Sequence, residues 1–217
     1  MKRVPFDHLL FDVDGTLIDS NPAHADAWTQ SLREHGIEVA TNQVRPLIGM
    51  GGDKLLPAIA HVSDDSALGQ AIARRKKAIF ETLLPDLHPT PGARPLLEYL
   101  REQHVTLVIA TSADDREVSV LLQRAGVDDL IPRRTSRDDA RDSKPDPDIV
   151  QAALAKSLAR PAQTAMVGDT PYDVEAAIRA GIKAIALRCG GYWTDGSLQG
   201  AAEIFDDPED LLTHWRE

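Results

Sequence analysis

From Val105 onward, short apolar runs of strand length alternate with stretches of helical period, and this alternation constrains the fold more than any other feature of the sequence. The runs lie at residues 106–110, 164–167 and 183–187 and are built mainly from Val, Ile, Leu and Ala. A chain that repeats strand, helix, strand in this way forms a parallel sheet covered by helices. The first two runs lead into helical segments, residues 117–125 and 174–180, each followed by a glycine suited to stop a helix, Gly126 and Gly181. An earlier strand is expected at residues 8–13.

Residues 20–84 read differently. They contain several helical stretches, no period-2 alternation, and Pro22 placed at the start of the first helix, where its missing N–H is harmless. The block reads as an all-helical insert that leaves after the first strand and returns near Pro91-Gly92, where turn chemistry resumes. A length of 217 residues accommodates one core plus such an insert. The expected class is α/β: a Rossmann-like parallel sheet core at residues 1–18 and 88–217, with an α-helical cap at 19–87.

Composition narrows the function classes. With 42% hydrophobic and 27% charged residues the chain is ordinary globular protein. No apolar run approaches the roughly 20 residues of a membrane span. The N-terminal apolar stretch is broken by Asp12 and Asp14, unlike a signal peptide. One cysteine, Cys189, fits a reducing, cytoplasmic setting. A net charge of −10, with only short basic runs at residues 74–77 and 133–137, argues against nucleic acid as a partner. A monomer or a homodimer is expected.

Four short motifs carry chemistry. The first is Phe11-Asp12-Val13-Asp14-Gly15-Thr16-Leu17 at the end of a strand. Alternation along that strand puts Asp12 and Asp14 on one side at its C-terminal end, where ligands of open α/β sheets bind. The second is Gly168-Asp169-Thr170-Pro171-Tyr172-Asp173, which brings two more carboxylates to a strand end, although Asp173 alone reads equally as a helix cap. Four converging acids require a cation, and oxygen-only ligands point to Mg²⁺. None of the seven histidines forms a zinc motif. The third motif, Thr111-Ser112, offers hydroxyl and backbone donors to a phosphate oxygen or forms a plain polar turn. The fourth is Lys144, which by itself reads as a solvated surface charge, set in a stiff segment with Pro145 and Pro147 that can aim one side chain.

In this order and on this βα background, the motifs resemble the haloacid dehalogenase-like hydrolase superfamily, in its branch of phosphoglycolate phosphatases and β-phosphoglucomutases with an α-helical cap. The resemblance covers essentially the whole chain. It implies a Mg²⁺-dependent phosphatase acting on a small phosphorylated metabolite, such as phosphoglycolate or a sugar phosphate. Asp12 would be the nucleophile that forms an aspartyl-phosphate, and Asp14 the acid and then the base. Thr111, Ser112 and Lys144 would hold the phosphoryl oxygens. Asp12, Asp14 (through its backbone carbonyl), Asp169 and Asp173 would form the metal site. Cap loops of the family select substrate, which singles out Gly51 in the segment Ile48-Gly49-Met50-Gly51-Gly52-Asp53-Lys54.

Asp14 argues against dehalogenation, whose enzymes lack the second acid. Lys54 stands near the place where phosphonate-cleaving relatives carry a Schiff-base lysine. His24 followed by Trp28 resembles the start of the β-phosphoglucomutase cap and keeps a sugar phosphomutase as the alternative. Gly52, where the mutase pattern has a phosphate-binding Arg, and Gly168, where it has an acid, argue against it.

Overall fold

The computed structural model describes residues 4–217. Its strands are β1 (His8–Phe11), β2 (Thr106–Ala110), β3 (Arg133–Thr135), β4 (Thr164–Gly168), β5 (Lys183–Leu187) and β6 (Glu203–Phe205). They form one parallel sheet in the order β3-β2-β1-β4-β5-β6. The helices are α1 (Asn21–Glu34), α2 (Thr41–Val44), α3 (Gly52–Ala60), α4 (Ala67–Leu83), α5 (Ala93–Glu102), α6 (Asp115–Ala125), α7 (Asp148–Ser157), α8 (Pro171–Arg179) and α9 (Pro208–Arg216).

Both faces of the sheet are apolar, which is why both must be covered. Leu9, Phe11, Leu107, Ile109, Ala165, Val167, Ile185 and Leu187 project into one core, against Leu96 and Leu100 of α5, Leu121 and Leu122 of α6, and Leu211 and Trp215 of α9. The alternate residues Leu10, Val108, Ala110, Met166, Ala184 and Ala186 project into the other, against Ile149 and Val150 of α7 and Val174 and Ala177 of α8. The small Ala side chains on β5 let α8 approach closely. Gly126 and Gly181 follow α6 and α8 at φ of 67° and 76°, the left-handed backbone that their lack of a Cβ permits. Trp215 belongs to the first core, and its carbonyl accepts a hydrogen bond from the buried Tyr99 hydroxyl at 2.9 Å.

The chain leaves the core at Ile18 and returns beside it at Pro89, the two residues pairing in an isolated bridge. Between them lie α1–α4, with a core of their own built on Trp28, Leu32, Val44, Leu55, Leu56 and Ile72. The Ser31 hydroxyl donates to the Ile72 carbonyl at 2.7 Å, tying α1 to α4. Ala27, Ile79 and Phe80 of the same helices belong instead to the sheet-side core, so the helical unit is seated on the α/β core by shared apolar packing.

Two features differ from the sequence reading. Strand β1 ends at Phe11 rather than residue 13. The Asp12 N–H still bonds the Val167 carbonyl at 2.9 Å, but from Val13 the chain coils into a tight turn, with Leu17 N–H donating to the Val13 carbonyl at 2.9 Å and Gly15 at φ 72°. The edge strands β3 and β6 carry three residues each and no extended apolar run, so periodicity does not reveal them. No helix among the described residues is long and apolar enough to cross a membrane.

Candidate active site

Strand β1 has β2 on one side and β4 on the other, and the chain winds outward from it in both directions. The crevice beyond the C-terminal ends of β1 and β4 is therefore the place where such a sheet leaves room for a ligand. Asp12 follows β1, Thr111 follows β2 and Asp169 follows β4, while Asp173 lies in the first turn of α8 and Lys144 in the loop before α7. Chain segments more than 130 residues apart thus meet at one point.

Lys144 is at the centre of the acids and is 1% exposed. Its ammonium donates to Asp12 Oδ1 and Asp173 Oδ1, each at 2.7 Å. Buried this deeply it is no surface charge. Burial alone would lower the lysine pKa, but the two carboxylates outweigh it and hold the group above its ordinary range. Asp173 caps α8 and faces the acid cluster at the same time. Oδ1 faces Lys144, while Oδ2 accepts from the Thr170 hydroxyl at 2.7 Å and the Thr170 N–H at 3.1 Å, closing the capping box of α8.

Asp12, Asp169 and Asp173 each offer a carboxylate oxygen within 4.8 Å of the others. Among the described residues the two oxygens of Asp169 have neutral hydrogen-bond partners, the Thr16 hydroxyl at 2.9 Å and the Asn21 amide at 2.8 Å. Burial first, and then the charges of Asp173 and Asp12, push its carboxyl well above the usual range. Asp12 is pushed up to about 7 by burial, with Asp173 and Asp14 adding to the effect and Lys144 opposing it. Of these three buried carboxylates, Asp12 and Asp173 share the Lys144 ammonium and Asp169 is held by neutral groups. That donor set is deficient in positive charge and made only of oxygen, which fits a hard divalent cation and does not fit zinc.

Asp14 does not join this group through its carboxylate, contrary to the expectation that alternation along β1 would align it with Asp12. The tight turn after Asp12 carries it elsewhere: Oδ1 accepts from the Ser20 hydroxyl at 2.5 Å and lies 2.8 Å from His24 Nε2. Burial works against ionisation here, yet His24, Ser20 and Lys76 overcome it and bring the carboxyl down to about 2. His24 is itself buried and stacks on Phe80 with ring centroids 3.8 Å apart. The two acids of the first motif therefore have opposite electrostatics, one raised and one lowered, two residues apart.

A cavity of about 90 Å³ opens over this pair, lined by Asp12, Asp14, His24, Gly51, Thr111 and Ser112 among others. Ser112 Oγ is buried without a hydrogen-bond partner, a donor aimed at no protein acceptor. Lys76 of α4 and Glu117 of α6 also line the cavity, 3.8 Å apart, with Lys76 lying 4.8 Å from the Phe80 ring centre. Neither residue stands out in the sequence, where Lys76 is one of four consecutive basic residues. Thr16 and Asn21, the partners of Asp169, are likewise evident only in three dimensions. Lys54, in contrast, does not line the cavity; it points to the Ser143 carbonyl and Asp146. Gly52 lies against Trp28, whose ring carbon would be 3.1 Å from any Cβ at that position, so a side chain there needs the indole to give way slightly.

Residues 9–187 match the profile of the family described as haloacid dehalogenase-like hydrolase. The chain belongs to that family. The hydrolase is 32% identical over 188 residues to a phosphoglycolate phosphatase of Pseudomonas putida, an alignment covering 84% of this chain and 69% of that protein. It is 28% identical over 215 residues to a phosphorylated carbohydrates phosphatase of Thermotoga maritima, covering 96% and 98% of the two chains. Among solved structures, a hydrolase from Pseudomonas syringae superposes with a TM-score of 0.90 at 31% identity, covering 96% of this hydrolase and 97% of that chain.

Proposed function

We propose that this phosphatase hydrolyses small phosphate monoesters in two steps, with Asp12 as the nucleophile and Mg²⁺ as its cation. The observation that carries the reading is the division of labour between neighbours. Asp12 is fixed by Lys144 at the floor of the cavity, while Asp14, two residues on, is turned to His24 at its side.

In the first step an Asp12 oxygen attacks phosphorus, and the ester oxygen leaves with a proton that the ionised Asp14 relays to it from His24 Nε2, 2.8 Å from its Oδ1. In the second step water attacks the phosphorus of the aspartyl-phosphate, Asp14 takes its proton, and Asp12 is released as the carboxylate. Thr111 and Ser112 at the end of β2 hold phosphoryl oxygens, and Lys144 offsets negative charge on Asp12 as the trigonal phosphoryl group passes. Mg²⁺ would be held by Asp12, Asp169 and the Asp14 backbone carbonyl, with Asp173 behind. Its charge would let an anionic nucleophile approach an anionic ester.

The substrate class is supported by the relatives named for phosphoglycolate and for phosphorylated carbohydrates. The single unpaired Cys189 suits a cytoplasmic enzyme. A sugar phosphomutase is the second reading, favoured by His24 beside Asp14, four residues before Trp28 on α1.

The test is release of inorganic phosphate from a panel of small monoesters, with Mg²⁺ and with excess EDTA. EDTA is expected to lower turnover by at least about tenfold, and Mg²⁺ to restore it. Release that ignores EDTA would remove the metal from the mechanism. Failure to release phosphate, together with interconversion of sugar phosphates when a bisphosphate is supplied, would establish the mutase.

A further inference from the structure

Lys144 is held at Asp12 by a short loop, and the helical unit grips that loop from above. Gly51 N–H donates to Ser143 Oγ at 3.2 Å, and the same hydroxyl donates to Asp53 Oδ2 at 2.9 Å. Lys54 Nζ donates to the Ser143 carbonyl at 2.5 Å and pairs with Asp146, which also receives Arg179 of α8 at 3.0 Å. Ser143 directly precedes Lys144, so its side chain and its carbonyl are both engaged from the start of α3. A second contact of the same kind lies alongside, where the Tyr172 hydroxyl donates to the Pro46 carbonyl at 2.5 Å next to Asp173. Residues 46–54 thus touch both segments that set the position of the Lys144 ammonium.

We propose that Lys54 and Asp53 are positioning residues, which clamp the Ser143 peptide when the helical unit sits down on the core and so fix the aim of Lys144 at Asp12. The inference rests on the phosphatase reading for its kinetic consequence only. Lys54 is 25% exposed along its side chain and Asp146 38%, and pairs so placed add little to folding stability. Their effect falls instead on the balance between a clamped and an unclamped loop, where a small bias changes populations by large factors. In the unclamped state Lys144 keeps its charge but loses its register with the reacting phosphoryl group, so the chemical step slows while substrate still enters the cavity.

The experiment uses the full chain with Mg²⁺ and compares Lys54→Met and Lys54→Arg with the wild type. For a monoester that the wild type turns over, Lys54→Met is expected to lower kcat about tenfold with KM changed less than about threefold. Its unfolding midpoint stays within about 2 °C of the wild type. Lys54→Arg keeps the charge and recovers most of the rate. Amide hydrogen exchange over residues 142–148 speeds up in Lys54→Met and not in Lys54→Arg. Wild-type kcat in Lys54→Met overturns the positioning role, and unchanged exchange in that variant overturns the clamp. If the wild type hydrolyses no monoester, the phosphatase reading fails, and the exchange comparison still decides whether the clamp exists.

Discussion

Replacing Asp12 by Asn is expected to lower turnover at least about 10⁴-fold while the protein stays folded. The substitution keeps the shape of the side chain but removes the oxygen nucleophile, and no other carboxylate takes its place. Asp14 is held by Ser20 and His24, and Asp169 by Thr16 and Asn21. The stability side has a definite sign. Asp12 has a carboxyl pushed up to about 7 by burial and by its acidic neighbours, so its ionised form opposes folding at neutral pH. Removing that charge costs the Lys144 contact and relieves the repulsion, and the unfolding midpoint is expected to equal or exceed that of the wild type. Substantial turnover in Asp12→Asn, checked by phosphate release, would remove the covalent mechanism.

Replacing Lys144 by Met is expected to have the opposite balance, a large loss of stability as well as of activity. Its ammonium lies between Asp12 and Asp173 with 1% of the residue exposed. Removing one partner from a buried ionic cluster typically costs about 3–5 kcal/mol, because the remaining charges are left uncompensated. Urea unfolding at pH 7 should show a loss of that size. The loss should shrink as pH falls. The Asp12 carboxyl, already above its unfolded value, rises further without the lysine, so its penalty is absent below the unfolded pKa, grows as pH climbs from there towards the folded one, and is complete above it. Turnover should fall by about 10²-fold or more even where the variant is folded, since the charge that steadies the phosphoryl group is gone. A Lys144→Met protein as stable as the wild type at pH 7 would mean that the acids are not a mutually repelling set.

Much of this was legible in the chain and some was not, for physical reasons that differ by residue. The central strands β1, β2, β4 and β5 are buried on both faces and so show as apolar runs, whereas β3 and β6 sit at the edges with three residues each and leave no pattern. Asp12, Asp169 and Asp173 converge because each sits at or just beyond a C-terminal strand end, a position that sequence order and strand assignment already define. Alternation along β1 misplaces the Asp14 carboxylate because the strand stops at Phe11, and a coiled turn, not the pleat, decides where the next side chains go. Asn21, Lys76 and Glu117 reach the site through the packing of α1, α4 and α6 on the sheet, which no local spacing encodes, and Thr16 reaches it through the coil of the turn after β1. Lys144 was marked by its proline-stiffened segment, but its complete burial depends on Asp12 and Asp173 arriving from distant parts of the chain.

The most direct test of the proposed chemistry is the stereochemical course at phosphorus, followed with a substrate made chiral there by oxygen isotopes and sulfur. Transfer onto Asp12 and then onto water comprises two in-line displacements, each inverting the centre, so net retention is expected. Net inversion would mean that water attacks the substrate directly, and Asp12 would then be a ligand or a base but not the nucleophile.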